Sequence, residues 1–452
     1  MAFAASARKF LLLIEVVMKR TLVQSIMSAA ALACMTGTLP SFAAAQEQVK
    51  IGFVFFLSGP GAAYGSNARD GAKLIVEALN AGKVPAPYDK PGINGLPIQA
   101  VFVDEAGGAQ KQLAEYRRLV EREQVDVVIG YNSSGDCNAI APVAEELRVL
   151  TDFFHCGNPQ LFEDIVTEPL YSVRTAPTGT MDQVAAAKYL LEKMPGIKTV
   201  SGINQDYSWG QDSWTEFKAA MSALKPDIQY PAASFTKLGT SDYGAEISTL
   251  LGTPSEALFS SFWGGDADAF ALQASTRGLD QKSKFVLTMG TGIIDDLGEK
   301  AIVGSIFGAR GPHGYFARKT PLSAWFKAEY GKTYNRMPPF GAYAAAQGIF
   351  GIKAAYEKAA AGAAGRQKTE AVIAALKGLT FDTASGFPAT MANNDGHQAI
   401  QATAYGVYSG WDKARNEAII TEVKVYPAEC VNPPNGVRAV DWIKSGFKGA
   451  KC

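Results

Sequence analysis

Short apolar runs rich in β-branched and aromatic residues alternate along the chain with stretches whose apolar residues recur at helical spacing. Val49–Phe56 reads as a buried strand, and Ser66–Asn80, with Ala68, Ala72, Ile75, Val76 and Leu79 on one face, as a helix. The pattern continues with a strand at 97–103, a charged amphipathic helix at 109–124, a strand at 125–129, a helix at 139–147 and a strand at 149–154. Between the first helix and the second strand, Tyr88–Gly95 reads as an insertion before a tight Asn-Gly turn. The rhythm restarts near Met181: helix 181–193, strand 198–203, helix 211–224, a strand containing Phe235, helix 243–251, strand 257–262, helix 267–277 and strand 285–288. Helices then follow at 321–330, 341–361 and 369–379, and strands from about His397 to Tyr426. Strands and helices in strict alternation predict parallel sheets covered on both faces. What repeats is a whole α/β lobe.

The first 45 residues stand apart from this rhythm. Met18-Lys-Arg is followed by a largely apolar run from Thr21 to Leu39 and by small residues at Ala43–Ala45. That order is a basic segment, an apolar segment and an A-x-A site, so an export signal is expected, with cleavage near Ala45 and Gln46 as the first residue retained. Residues 1–17 read as sequence ahead of a start at Met18. An uncleaved membrane anchor is the competing reading, and the impure apolar run counts against it.

Composition narrows the function. The chain has 452 residues, 47% hydrophobic and 19% charged, which suits two or three folded units with sizeable cores. Basic and acidic residues are equal at 43 each, so no electrostatic case exists for nucleic acid or a polybasic membrane surface. Three histidines and the lack of any C-x-x-C pair argue against a zinc ribbon, a thioredoxin-like motif or a His-rich metal site, and no metal or cofactor is expected. Cleavage near Ala45 would remove Cys34 and leave Cys137, Cys156, Cys430 and Cys452 in an oxidising compartment. Cys137 and Cys156 follow successive strands of one parallel sheet, so their loops should lie side by side and bridge. Cys430 and Cys452 are then left to pair across the tail. Four free thiols are the alternative.

In open parallel sheets ligands sit beyond the carboxyl ends of the strands, so the residues there are the candidates. Ser58–Gly65 follows the first strand, with Tyr64 near its end. A loose G-x-G in it suggests a dinucleotide loop, but the spacing is wrong and Asp104 is too far along. Gly130–Asp136 holds Ser133 and Ser134, which could bind a carboxylate, although Ser134 or Asp136 reads equally as an ordinary helix cap. His155 and Gly157 follow the fourth strand. In the second half Trp209, Phe262, Trp263 and Asp266, and Met289–Gly292 with Thr291, occupy the equivalent places. Aromatics in the end loops of both halves suit a shared cleft. The adjacent carboxylates Asp104-Glu105, Glu145-Glu146 and Asp295-Asp296 read as solvated rather than catalytic, and no G-x-S-x-G or Walker loop is present.

Taken together, VKIGFVFFLSGPGAAYGSNARDGAKL, IGYNSSG, PVAEEL and DYSWGQDSWTEFK resemble the branched-chain amino-acid type of periplasmic binding protein, over nearly all of residues 48–410. The resemblance implies the type I fold: two doubly wound, parallel-sheet α/β lobes joined by three crossovers, with hinge closure on a ligand. The crossovers are placed near 171–177, 307–311 and 381–395. The lobes are then 46–172 with 310–390, and 176–306 with 395–452. By position, the resemblance makes Tyr64 a ligand contact, Ser134 the carboxylate-holding hydroxyl with Ser133 beside it, and His155 and Gly157 part of the same site. Trp209 becomes the ligand-facing aromatic, with Phe262, Trp263, Asp266 and Thr291 on the other cleft loops. Amino-acid binders of the family carry an acid in the loop matching 289–292 to pair the α-amino group. Here that loop has none, leaving Asp266 as the substitute, and Gly157 lacks the family hydroxyl.

The implied function is therefore non-catalytic. A monomeric periplasmic receptor would hand a small carboxylate, an amino acid or an aromatic or other organic acid or amide, to an inner-membrane ABC permease. A ligand sensor and, distantly, a nucleotide-dependent enzyme are the alternatives.

Overall fold

The computed structural model describes residues 47–359 and 368–452. The expected export signal at 1–45 and the last residues of the expected 341–361 helix lie outside the described residues. Strand β1 (Val49–Phe55) is apolar apart from Lys50 because both its faces are covered: Ile51, Phe53 and Phe55 enter one hydrophobic cluster and Val54 another. Around it, β2 (Ile98–Asp104), β3 (Val127–Gly130), β4 (Leu150–Asp152) and β5 (Ser172–Val173) form a parallel sheet in the order β2-β1-β3-β4-β5. Helices Ala62–Asn80 and Phe340–Lys358 cover one face, and helices Ala109–Arg117 and Ser134–Leu147 the other.

The second sheet has the order β15-β14-β10-β9-β8-β6-β7. Its members β6 (Val200–Gln205), β7 (Ala233–Thr236), β8 (Ala257–Ser260), β9 (Lys284–Leu287) and β10 (Ile306–Ala309) are parallel. The hairpin β14 (Thr403–Asp412) and β15 (Glu417–Tyr426) adds antiparallel strands at one edge, so this sheet is mixed where the sequence suggested a wholly parallel one. Ten-residue strands joined by a short turn pair with each other before any helix can intervene. A small antiparallel sheet of β11 (Thr380–Phe381), β12 (Ala389–Asn393) and β13 (Gln398–Ile400) completes the fold.

Three passages connect the two sheets. The chain leaves β5 through 174–179, returns after β10 through 310–320 to helix Pro321–Tyr334, and crosses again at 401–402 into β14. The last passage falls later than the expected 381–395 because that stretch is used by β11, β12 and the turn after it. Arg174, in the first passage, is buried and pinned to β13, just ahead of the third: its amide donates to the His397 carbonyl (2.8 Å) and its Nε to Gln398 Oε1 (2.6 Å).

Both cysteine pairs form disulfides, Cys137–Cys156 with Cα atoms 6.5 Å apart and Cys430–Cys452 with Cα atoms 4.6 Å apart. β3 and β4 are neighbours, which brings the loops bearing Cys137 and Cys156 together. In the tail, Trp442, Ile443 and Phe447 join the apolar cluster of the second sheet beside Trp214 and Phe217.

Helices Ala62–Asn80 and Phe340–Lys358 approach at Gly71, where an added Cβ would lie 2.6 Å from the Ala342 Cα. Gly71→Val is therefore expected to destabilise the fold by about 1–3 kcal/mol through overpacking, seen as a lower urea midpoint with an unchanged slope.

Candidate functional site

Each sheet reverses its strand order beside its first strand, between β1 and β3 and between β6 and β8. Crevices at such switch points, outside the carboxyl ends of the strands, are where open α/β sheets take ligands. The two crevices face each other and touch at their rim. Gly265 N–H donates to the Pro60 carbonyl at 3.4 Å, and an added Cβ on Gly239 would lie 2.8 Å from the Pro60 ring.

Tyr64 belongs to the first turn of helix Ala62–Asn80 rather than to the preceding loop. That turn starts early because Gly65 packs directly on the end of β1; a Cβ there would sit 1.9 Å from the Phe56 carbonyl oxygen. The Tyr64 ring lies 4.7 Å from His155, 5.6 Å from Phe340 and, edge-on, 6.2 Å from Trp263, between centroids. Trp263 Nε1 donates to the Tyr207 hydroxyl (2.9 Å), and Trp209 Nε1 to the Ser261 carbonyl (2.9 Å). A small cavity, about 30 Å³, lies among Tyr64, Trp263, Met289, Gly292 and Phe340, with Asp268 and Asp296 also on its lining. Aromatic faces from both lobes thus meet in one place.

The polar groups are few and buried. Tyr64 Oη, Ser134 Oγ, His155 Nε2 and Thr291 Oγ1 have no hydrogen-bond partner in the structure. Burial holds the Tyr64 phenol well above its ordinary range and His155 well below its own, so the imidazole is neutral. Ser133, not Ser134 or Asp136, caps helix Ser134–Leu147, accepting from the Asp136 amide (3.3 Å), because the helix already begins at Ser134. Phe262 turns into the second lobe's core, 5.4 Å from Tyr243 and 5.5 Å from Phe270. The Asp266 carboxylate is taken by Gln205 Nε2 (2.8 Å) and the Gly239 amide (3.0 Å). Thr291 lies in the first turn of helix Gly290–Leu297, where the glycine-rich sequence suggests a loop.

Two charged residues were missed. Glu105, expected to be solvated, is fully buried and accepts the amides of Asn132 and Ser133 at 2.8 Å each. Burial raises its carboxyl well above the ordinary range. Arg310 is 3% exposed. Its guanidinium lies over the Trp209 ring, 4.8 Å from the centroid, and Nη1 donates to the His155 carbonyl at 2.6 Å. Gly157 is what admits it: a Cβ there would fall 2.4 Å from Arg310 Nη1 and 2.5 Å from Trp209. The signal available in the sequence was an arginine between Ala309 and Gly311, a lone charge in an otherwise apolar and glycine-rich passage. Among the described residues no group of His, Cys, Asp and Glu is arranged to hold a metal, and no helix is long and apolar enough to cross a membrane.

Residues 48–410 match the family described as Periplasmic binding protein. Relatives include the Leu/Ile/Val-binding protein homolog 6 of Brucella abortus, 27% identical over 223 residues, which are 49% of this chain and 53% of that one. Another is the leucine-, isoleucine-, valine-, threonine- and alanine-binding protein of Pseudomonas aeruginosa, 24% identical over 246 residues, 54% of this chain and 61% of that one. The chain thus spans about half the length of the curated relatives it matches. Among solved structures, a solute-binding protein of an ABC transporter from Rhodopseudomonas palustris in complex with 4-hydroxybenzoate superposes with a TM-score of 0.72 at 22% identity, covering 84% of this chain and 98% of that one. A leucine-binding protein from Thermotoga maritima gives 0.68 at 20% identity, covering 85% and 99%. At these identities the structural matches speak for the fold alone.

Proposed function

The chain belongs to the periplasmic binding protein family, and from that premise we propose that it is an exported solute receptor of an ABC importer, binding a small hydrophobic or aromatic carboxylate between its lobes and delivering it to a membrane permease. The observation that carries the reading is the meeting of Tyr64, His155 and Phe340 from one lobe with Trp263 from the other, with Trp209 against Gly157 and with buried polar groups that have no partner within the protein. An enclosed apolar site with a few convergent polar groups selects for shape and one polar end. One chain supplies both walls, so a monomer suffices. The segment from Met18 to Ala45 supports export, with cleavage near Ala45.

The names of the relatives suggest branched-chain amino acids, and those of several structural neighbours suggest benzoate derivatives. Asp266 is committed to Gln205 and Gly239, and residues 289–292 contain no acid, so the carboxylates left to pair an ammonium are Asp268 and Asp296 on the cavity lining. An acid without the amine needs neither of them, and that is the ligand proposed.

A thermal-shift screen of the purified chain against amino acids, benzoates and branched aliphatic acids tests this. A ligand bound only by the folded state raises Tm, by an amount that grows with its concentration over Kd. At least one acid should do so, and a flat response to the whole panel would refute the reading. Ser134→Ala should then weaken the acid that binds by about tenfold, the worth of one hydrogen bond.

A further inference from the structure

The turn after β3, whose amides and hydroxyls would be the obvious cradle for a ligand carboxylate, already holds one. Glu105 reaches from the end of β2 and accepts both the Asn132 and Ser133 amides, while Ser133 Oγ is used by the Asp136 amide. Two N–H groups committed to a buried side-chain carboxylate are not free to bind a second carboxylate. What remains there is the single hydroxyl of Ser134.

The opposite condition holds at Arg310. Its Nη1 is satisfied by the His155 carbonyl, but Nε has no hydrogen-bond partner. The nearest carboxyl, Asp182, stands 3.7 Å from Nε, and neither of its oxygens makes a hydrogen bond. The two form an ion pair without a hydrogen bond between them, although burial raises the Asp182 carboxyl. The other buried guanidinium nearby, that of Arg174, is held by Gln398 and by the carbonyls of Cys156 and Asn158, with its Nη2 left without a partner. Arg310 also acts on the phenols of Tyr64 and Tyr207, so its charge is felt on the aromatic walls contributed by both lobes. A buried, incompletely paired guanidinium is costly, and its planar fork suits a carboxylate.

Resting on the carboxylate reading above, we propose that Arg310 is the specificity-determining residue: its guanidinium takes the carboxylate of an amine-free monocarboxylic acid whose body lies against Trp209 and Tyr64, while the Ser133–Ser134 turn, its amides filled by Glu105, contributes only the Ser134 hydroxyl. Gly157 belongs to the same device, since any side chain there would displace both the guanidinium and the indole beneath it. An ammonium placed near this charge is repelled, which sets the acid above the corresponding amino acid.

Calorimetry on the full folded chain tests this with two matched sets: benzoate, benzamide and L-phenylalanine, and 4-methylpentanoate, its amide and L-leucine. In at least one set the acid should bind at least tenfold more tightly than both its amide and its amino acid, the worth of a charge-assisted hydrogen bond. Arg310→Gln should bring the acid-to-amide ratio close to one, and Arg310→Lys, which keeps the charge, should retain most of it. An amide or an amino acid that binds the parent as tightly as the acid overturns the proposal without any variant, so a poorly folding Arg310→Gln does not shelter it. An unchanged ratio in Arg310→Gln also overturns it. Binding of neither acid nor amide nor amino acid overturns it together with the carboxylate reading, a result distinct from intact binding with no acid preference.

Discussion

Trp209→Ala is expected to weaken ligand binding by about a hundredfold. The indole is 3% exposed and fixed on three sides. Its Nε1 bonds the Ser261 carbonyl, Arg310 lies on its face, and Gly157 and Gly179 approach so closely that a Cβ on either would come within 2.5 Å of the ring. Removing it takes away one wall of the cleft and the surface that orients the guanidinium. Truncation of a buried tryptophan typically costs about 3–5 kcal/mol, and the part that falls on binding, about 3 kcal/mol, corresponds to roughly two decades in Kd. Calorimetry with the acid found in the screen reads this directly. Trp209→Phe should recover part of the loss, and an unaltered Kd in Trp209→Ala would remove the indole from the site.

The second large effect falls on stability. Cys137→Ala/Cys156→Ala should lower unfolding free energy by roughly 3 kcal/mol, because the bridge closes a loop of about 20 residues in the unfolded chain. For a protein of this size that is a fall in Tm of several degrees, readable by differential scanning calorimetry against the parent. Both cysteines are buried in an apolar cluster with Tyr131, Ile140 and Phe153, so alanine leaves no unpaired hydroxyl behind. The cut should also reach the site, since Cys156 stands between His155 and Gly157 and its carbonyl accepts from Arg174 Nη1. A parent-like Tm would mean that the bridge adds nothing to the fold.

Much of the fold was legible because strands buried on both faces write themselves as apolar runs, and Val49–Phe55, broken only by Lys50, and Val127–Gly130 are such runs. The short strands β11 and β12 carry too little pattern to be seen, and helix Gly290–Leu297 hides behind its opening glycines. The site was legible where an aromatic stands at a strand end. The Tyr64 ring meets those of His155 and Trp263, and the Trp209 ring lies under Arg310. Sequence position alone cannot tell which of two adjacent rings faces inward, so Phe262 was grouped with Trp263 although it packs into the lobe. Glu105 and Arg310 escaped for a deeper reason. A charged residue in a polar or glycine-rich loop reads as solvated, and only tertiary structure shows that Glu105 plugs the amides of the next loop or that Gly157 clears a place for Arg310.

The most direct measurement is a crystal structure of the chain grown with the acid that raises Tm most. The account predicts the acid enclosed between the lobes, its body against Trp209 and Tyr64 and its carboxylate at hydrogen-bond distance, about 3 Å, from the Arg310 guanidinium. Density for the acid outside the cleft, for instance in the open groove bordered by Leu170, Tyr171 and Ile373, with Tyr64, Trp209 and Arg310 untouched, would contradict it.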